Sequence, residues 1–470
     1  MRLLSKILHG MLVAACLLVC LRFSLQLTRY AIASACGPDY YDFAQEWTSA
    51  RNFVVGQPVY LEFGRSLEIH FGRSASANFQ YNAHPPASVL LALPFSALSY
   101  RAAFLAWSVL SAFCLAASLW LILRGRRMRA LDLQTLLPIA LILSSSALLQ
   151  QTIQGQLNLV LLALISGVWF ADRKDRQVAS GVLIGVAAAV KLFPAFLILG
   201  PLARRKWRAV AGAAAAFLGV NGLGWCLLGR QAYLDYFLRV APDVAKFRDT
   251  WPNASLLGFW SKLLDGGFGQ VLPVWHAPWA AKALAAVSCL AVAAATYWAI
   301  ARFPRHSDSR PPDAKPPVPH RDLAFALGCA GMLLASPITW DHYFLLLIPG
   351  LWLAWGAFHG RVVSRTLVLA AAVALVWLNP FSVWQATIPD HFAPRGQVHP
   401  VGPAGVLTVI SFQFYALLGF YLLVLGALVQ SSRIRSIEAG EPTAAAPCPP
   451  PATTLAAREN TPAAGDPPQV

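Results

Sequence analysis

The sequence predicts an all-α, polytopic integral membrane protein, and three observations carry that expectation. Of 470 residues, 57% are hydrophobic and only 12% are charged. Apolar runs of roughly 14 to 25 residues recur from end to end, and about 20 apolar residues cross the hydrocarbon core of a bilayer as a helix. Basic residues gather in short loops between the runs, the bias expected of cytoplasmic loops. The two-residue alternation of a membrane β-barrel is missing, and a soluble fold would leave the runs as excess apolar surface. The same basic loops account for the net charge of +16; with no nucleic-acid motif present, no nucleic-acid partner is expected. The eight cysteines, Cys16, Cys20, Cys36, Cys114, Cys226, Cys289, Cys329 and Cys448, form no C-x-x-C pair and lie mostly in apolar runs. A thiol there acts as a small hydrophobe, so neither a disulfide framework nor a metal site is expected.

The elements follow from loop charge. Arg2 and Lys6 precede an apolar run from about Ile7 to Val19. Ala33-Ser34-Ala35 has the form of a signal-peptidase box, but Arg22 and Arg29 separate it from the run, a poor match to a signal peptide. An uncleaved first helix with a cytoplasmic N-terminus is the better reading. Residues 30–100 are more polar, and the apolar stretch 87–98 is short enough to be interfacial or re-entrant. Spans follow near 101–123 and 131–149, joined by a loop with Arg124, Arg126, Arg127 and Arg129, and then near 156–170, ending at Arg173, Lys174 and Arg176. The stretch 178–203 has basic residues at both ends, which one span cannot satisfy, and Pro194 breaks a helix. It is predicted to be a hairpin of two short helices with Lys191 near its tip. Further spans are expected near 207–228, 279–301, 322–335, 341–357, 362–378 and 405–429, about ten in all plus the hairpin. The membrane domain is residues 1–435; within it 302–320 reads as a Pro-rich cytoplasmic linker, and 436–470 as a disordered cytoplasmic tail. No inverted repeat of the transporter kind is visible.

This topology rests on basic loops alone, yet it places Asp42, His84, Gln156, Asn158, Asn253, Asp341 and His342 all on the outer side. Structural polar groups would be shared between both faces. Asp42 closes a cluster with Asp39, Tyr40 and Tyr41 just after the first run. A carboxylate at the membrane edge takes a proton from a hydroxyl nucleophile. A neighbouring histidine or lysine neutralises a leaving phosphate. Lys191, within an apolar stretch, is costly there and a functional candidate by default. Each residue also has a plain structural reading. Lys191 can snorkel, His84 before Pro85-Pro86 can be a turn residue, and Gln156 and Asn158 can be hydrogen-bond links between helices. Trp47, Trp251 and Trp340 suit an interfacial belt.

In this order the motifs resemble glycosyltransferase family 87, of the membrane GT-C class. The resemblance rests on Asp42-Phe43, Gly56-Gln57-Pro58-Val59-Tyr60, Tyr81 with Pro85-Pro86, and Gly155-Gln156-Leu157-Asn158. It continues with Lys191-Leu192-Phe193-Pro194, Asn253-Ala254-Ser255-Leu256 and Ser336-Pro337-Ile338-Thr339-Trp340-Asp341-His342. It implies a GT-C fold at the plasma membrane and an inverting transfer from a polyprenyl-phosphate sugar, by analogy mannose, to a lipid-linked or glycan hydroxyl on the extracytoplasmic face. The donor is then a substrate, and no cofactor is implied. Asp42 matches the family's base and His342 a histidine near the donor phosphate. Lys191 would contact that phosphate, and Tyr81, His84, Gln156, Asn158, Asn253 and Asp341 would bind substrate. His84 departs from the proline common in the family, and Tyr343 from a common second histidine. The rival is a flippase of lipid-linked sugars, whose polar groups should lie near the midplane between repeats. A membrane scaffold has only the Pro-rich linker and tail in its favour.

Overall fold

The computed structural model describes residues 2–37, 42–72, 80–302, 320–392 and 399–440. Among these the chain is helical throughout, with a lone bridge between Val271 and Val401 in place of any sheet. The helices are α1 (Arg2–Ser34), α2 (Asp42–Val54), α3 (Phe63–Phe71), α4 (Pro86–Ala92), α5 (Tyr100–Arg126), α6 (Leu133–Leu143) and α7 (Ser146–Gln154). They continue with α8 (Asn158–Arg173), α9 (Gln177–Val190), α10 (Leu199–Ala203), α11 (Trp207–Asp235), α12 (Ala241–Val244) and α13 (Leu256–Leu264). The remainder are α14 (Pro278–Ala301), α15 (His320–Leu334), α16 (Ile348–Ala357), α17 (Val362–Ala372), α18 (Pro380–Thr387), α19 (Pro403–Gly405) and α20 (Phe412–Gly440).

Among the described residues, five helices are long and apolar enough to cross a membrane, and up to seven if each bent pair is one span. The expected count of about ten came from apolar runs, several of which fold as bent or shorter helices. The run near 131–149 bends by 51° between α6 and α7. There Ser145 leaves the helical region and caps α7, its hydroxyl accepting from the Leu148 N–H. The run near 362–378 continues into α18 across a 91° bend, where Asn379 caps and Pro380 cannot continue the preceding ladder. The final helix extends past residue 436 to Gly440. Residues 303–319 and 441–470, including most of the predicted linker and nearly all of the predicted tail, lie outside the described residues.

The packing makes two distinct ends. At one, Asp322 at the start of α15 is buried among Arg126 of α5 (3.2 Å), Arg173 of α8 (3.1 Å) and the Trp169 indole N–H (2.9 Å). Asp172 there binds Arg204 at 2.7 Å and Lys206 at 2.9 Å. Both basic flanks of the 177–203 stretch therefore meet at this basic end. A buried carboxylate is tolerated only with such partners. From it α8 and α15 run toward Asn158 and toward the 336–342 loop, and α9 toward Lys191. These helices of 14 to 16 residues cover about 21–24 Å at 1.5 Å per residue. The seam between α9 and α11 is backbone against backbone. A Cβ on Gly181 would meet the Ala209 carbonyl at 2.0 Å, and one on Gly185 the Ala213 carbonyl at 2.2 Å. Small residues permit that approach.

Candidate active site

Asp42 is the first residue of α2, where the helix N-terminus favours an anion. The next residue, Phe43, anchors the helix. It stacks on Trp107 (5.3 Å between centroids) and meets Phe104 edge-on at 5.6 Å. One turn on, Gln45 donates to Asp42 Oδ1 at 3.1 Å while its Oε1 accepts from the Ala83 N–H at 3.2 Å. Glu46 binds His84 Nδ1 at 2.5 Å and accepts from the Ser88 hydroxyl at 3.1 Å. Asn82 donates to Ser49 and accepts from the His84 N–H. The loop 82–88 is thus stitched to the polar face of α2.

Lys191 stands where α9 ends, in extended backbone (φ −142°, ψ 137°). Its ammonium donates to Gln156 Oε1 (3.3 Å), Asn158 Oδ1 (3.4 Å) and the Tyr343 hydroxyl (3.1 Å), and lies 4.2 Å from the Tyr343 ring centroid. Gly155, with φ +64°, makes the turn that presents Gln156 and Asn158. A Cβ there would sit 2.7 Å from Phe43 Cβ, so only glycine admits both the turn and α2.

The third wall is the loop after α15. Asn253 holds it by donating to the Arg248 and Pro337 carbonyls and accepting from the Ser255 and Thr339 N–H groups. Those four bonds fill the amide's capacity. His342 Nδ1 meets Asp341 Oδ1 at 3.1 Å, and the His342 carbonyl accepts from Asn158 at 3.5 Å. His342 Nε2 and Asp341 Oδ2 are buried with no hydrogen-bond partner among the described residues. Buried polar atoms are ordinarily paired with protein or ordered water, so these two face a polar partner from outside the chain.

Burial pushes the Asp42 carboxyl above its ordinary value; His84, His342 and Lys191 oppose the shift, and Glu46 adds to it. One carboxylate therefore feels groups from three separate segments. Asp42, His84, Gln156, Asn158, Lys191, Asp341 and His342 gather at the end opposite Asp322. Tyr81 stands aside, its hydroxyl accepting from Arg239 at 3.0 Å, and Asn253 faces backbone. Asp39, Tyr40 and Tyr41 lie outside the described residues. Sequence reasoning missed Gln45, Glu46 and Ser88. Glu46 lies four residues after Asp42, one helical turn, a spacing that would have put both carboxylates on one face.

The chain is a multi-pass helical membrane protein with a buried polar site at one end. The family model described as "Glycosyltransferase family 87" matches residues 82–337, just over half of the 470 residues, and the chain belongs to that family. The match begins after α2. The chain is 26% identical over 350 residues to the polyprenol-phosphate-mannose-dependent alpha-(1-2)-phosphatidylinositol pentamannoside mannosyltransferase of Mycolicibacterium smegmatis, covering 70% of this chain and 76% of the relative. It is 26% identical over 363 residues to a polyprenol-phosphate-mannose-dependent alpha-(1-2)-phosphatidylinositol mannoside mannosyltransferase of Mycobacterium tuberculosis, covering 73% of this chain and 75% of the relative. An alpha-(1->3)-arabinofuranosyltransferase of Corynebacterium glutamicum is 27% identical over 244 residues, 50% of this chain and 53% of that one.

Proposed function

We propose that the protein transfers a hexose, by analogy with its relatives mannose, from a polyprenyl-phosphate donor to a hydroxyl of a lipid-linked or glycan acceptor at the extracytoplasmic face of the plasma membrane. Asp42 takes the proton of the acceptor hydroxyl. The oxygen attacks the anomeric carbon as the carbon–phosphate oxygen bond breaks, so a single displacement inverts the configuration. The polyprenyl phosphate leaves with the negative charge. Lys191 meets that charge. His342, its Nδ1 against Asp341, donates to the phosphate through Nε2. Gln156 and Asn158 hold Lys191, Gln45 orients Asp42, and His84, backed by Glu46, offers Nε2 to a sugar hydroxyl. Asn253 positions the loop that carries His342. The observation that supports this most is the gathering of Asp42, Lys191 and the unsatisfied His342 from three distant segments. Arg126, Arg173, Arg204 and Lys206 cluster around Asp322 and Asp172 at the other end, which suits an extracytoplasmic site.

The test is transfer in membranes from radiolabelled polyprenyl-phosphate mannose, comparing wild type with Asp42→Asn. Loss by orders of magnitude in the variant alone supports the base; equal transfer removes it. The arabinofuranosyltransferase relative makes a pentose donor the second reading. Labelled polyprenyl-phosphate arabinose in the same membranes separates the two.

A further inference from the structure

A second polar feature lies away from the site, on the lipid-facing side of the bundle. A 350 Å³ cavity has α16 as its floor and α6 and α17 as its walls. Leu137, Leu351 and Leu369 represent a lining that is almost wholly apolar. Its one cation is Arg365, in the second turn of α17, whose guanidinium lies 3.9 Å from the centre of the Trp355 ring. Arg365 Nε is buried without a hydrogen-bond partner, and no carboxylate pairs with this arginine among the described residues. Of the carboxylates at the basic end, Asp322, Asp172 and Asp175 are taken by other cations, and Asp132 stands at the N-cap of α6.

Orientation decides the occupant. Arg126, bound to Asp322, lies against Gly356, where a Cβ would touch its guanidinium. The Arg365–Trp355 end of the groove is therefore the basic end. The other end is latched by the Trp377 indole donating to Ser144 Oγ at 3.1 Å. A chain whose phosphate sits beside His342 would have to pass that latch. A lipid whose phosphate sits at the basic end meets no such barrier. The loops leading into both walls carry a net positive charge, with Arg127, Arg129 and a single carboxylate, Asp132, before α6, and Arg361 before α17.

We propose that this groove binds an anionic glycerophospholipid, its phosphate on Arg365 and one acyl chain along α16. Planar guanidinium and phosphate form paired charge-assisted hydrogen bonds, and the stacked Trp355 fixes the guanidinium plane beforehand. A zwitterionic phospholipid offers the same chains, but its ammonium faces the neighbouring arginines.

The test uses the full-length protein, stripped of lipid in neutral maltoside detergent. It is mixed with equimolar dioleoylphosphatidylglycerol and dioleoylphosphatidylcholine, and retained lipid is counted by native mass spectrometry. One phosphatidylglycerol is expected per chain in preference to phosphatidylcholine. Arg365→Gln should weaken its retention about tenfold or more, the size of one lost hydrogen bond to a charged group. Arg365→Lys should recover part of it. Leu369→Trp, filling the groove from a partly exposed position, should abolish it with the helix content unchanged. Equal retention of the two lipids, or undiminished phosphatidylglycerol on Arg365→Gln, overturns the proposal. So does displacement by undecaprenyl phosphate at equal concentration, which would make the groove a donor-tail channel.

Discussion

Gly155→Ala tests whether the turn under α2 sets the position of Asp42. The added Cβ meets Phe43 Cβ at 2.7 Å and Phe104 Cε2 at 3.0 Å. Carbon atoms prefer roughly 3.5–4.0 Å, so Phe43 must retreat by about 1 Å. The backbone stays at φ +64°, which costs a non-glycine residue about 1–2 kcal/mol. Overpacking in a filled core adds about 1–3 kcal/mol, giving roughly 2–5 kcal/mol together. Phe43 adjoins Asp42 on the same turn, and a misplacement of about 1 Å can lower a rate some hundredfold. The assay pairs apparent melting temperature in detergent with transfer from polyprenyl-phosphate mannose. Transfer should fall about a hundredfold per folded molecule. Gly222→Ala, on α11 with nothing within 4 Å of its new Cβ, should keep its activity and melt no lower, since alanine favours a helix over glycine by about 1 kcal/mol. Wild-type melting and wild-type transfer in Gly155→Ala would refute the link between the turn and the base.

Other perturbations follow from the same contacts. Because Asp42 must be ionised to act and burial raises its pKa, transfer should fall on acidification at a higher pH than an ordinary aspartate allows. His84→Gln removes an opposing charge and should move that limb of the pH–rate profile further up; a downward move contradicts the arrangement. Gly181→Ala drives a methyl into the Ala209 carbonyl, so α9 must shift from α11 and both stability and transfer should drop, as melting and turnover would report. Asp322→Asn leaves Arg126 and Arg173 without their carboxylate and should cost roughly 2–3 kcal/mol, with the more exposed Arg173 arm contributing least; an unchanged melting temperature rejects this. Burial pushes Lys262, which donates to the Trp251 and Asn253 carbonyls, down to about 7. The unfolded chain holds that proton up to about pH 10.4 and the native chain does not, so stability should rise with pH between the two values. In Lys262→Met the slope across that window should be shallower than in wild type.

Much of the bundle was legible because loop charge and run length are local properties. The bounds of α5 lie within a few residues of its predicted span. The two basic flanks of the 177–203 stretch foretold that Lys191 would stand at their far end. The bends were harder to see, since hydropathy is indifferent to direction. Ser144-Ser145-Ser146 marked one of them as a capping signal within an apolar run. What sequence could not reveal were partnerships across long separations, such as Glu46 with His84 or Asp322 with Arg126 and Arg173. Asn253 shows the converse, because a polar residue in a promising motif turned out to face four backbone groups.

The Asp322 cluster has a mechanical consequence. It fastens α5, α8 and α15 at one point, and α5 extends 27 residues from there, a lever of about 40 Å. At its other end Tyr100 and Phe104 press on Phe43. A tilt of only about 3° about that fulcrum sweeps the tip through about 2 Å, given the lever's length. Small strains at the anchored foot are geared up into displacements as large as those that separate a poised base from a misaligned one.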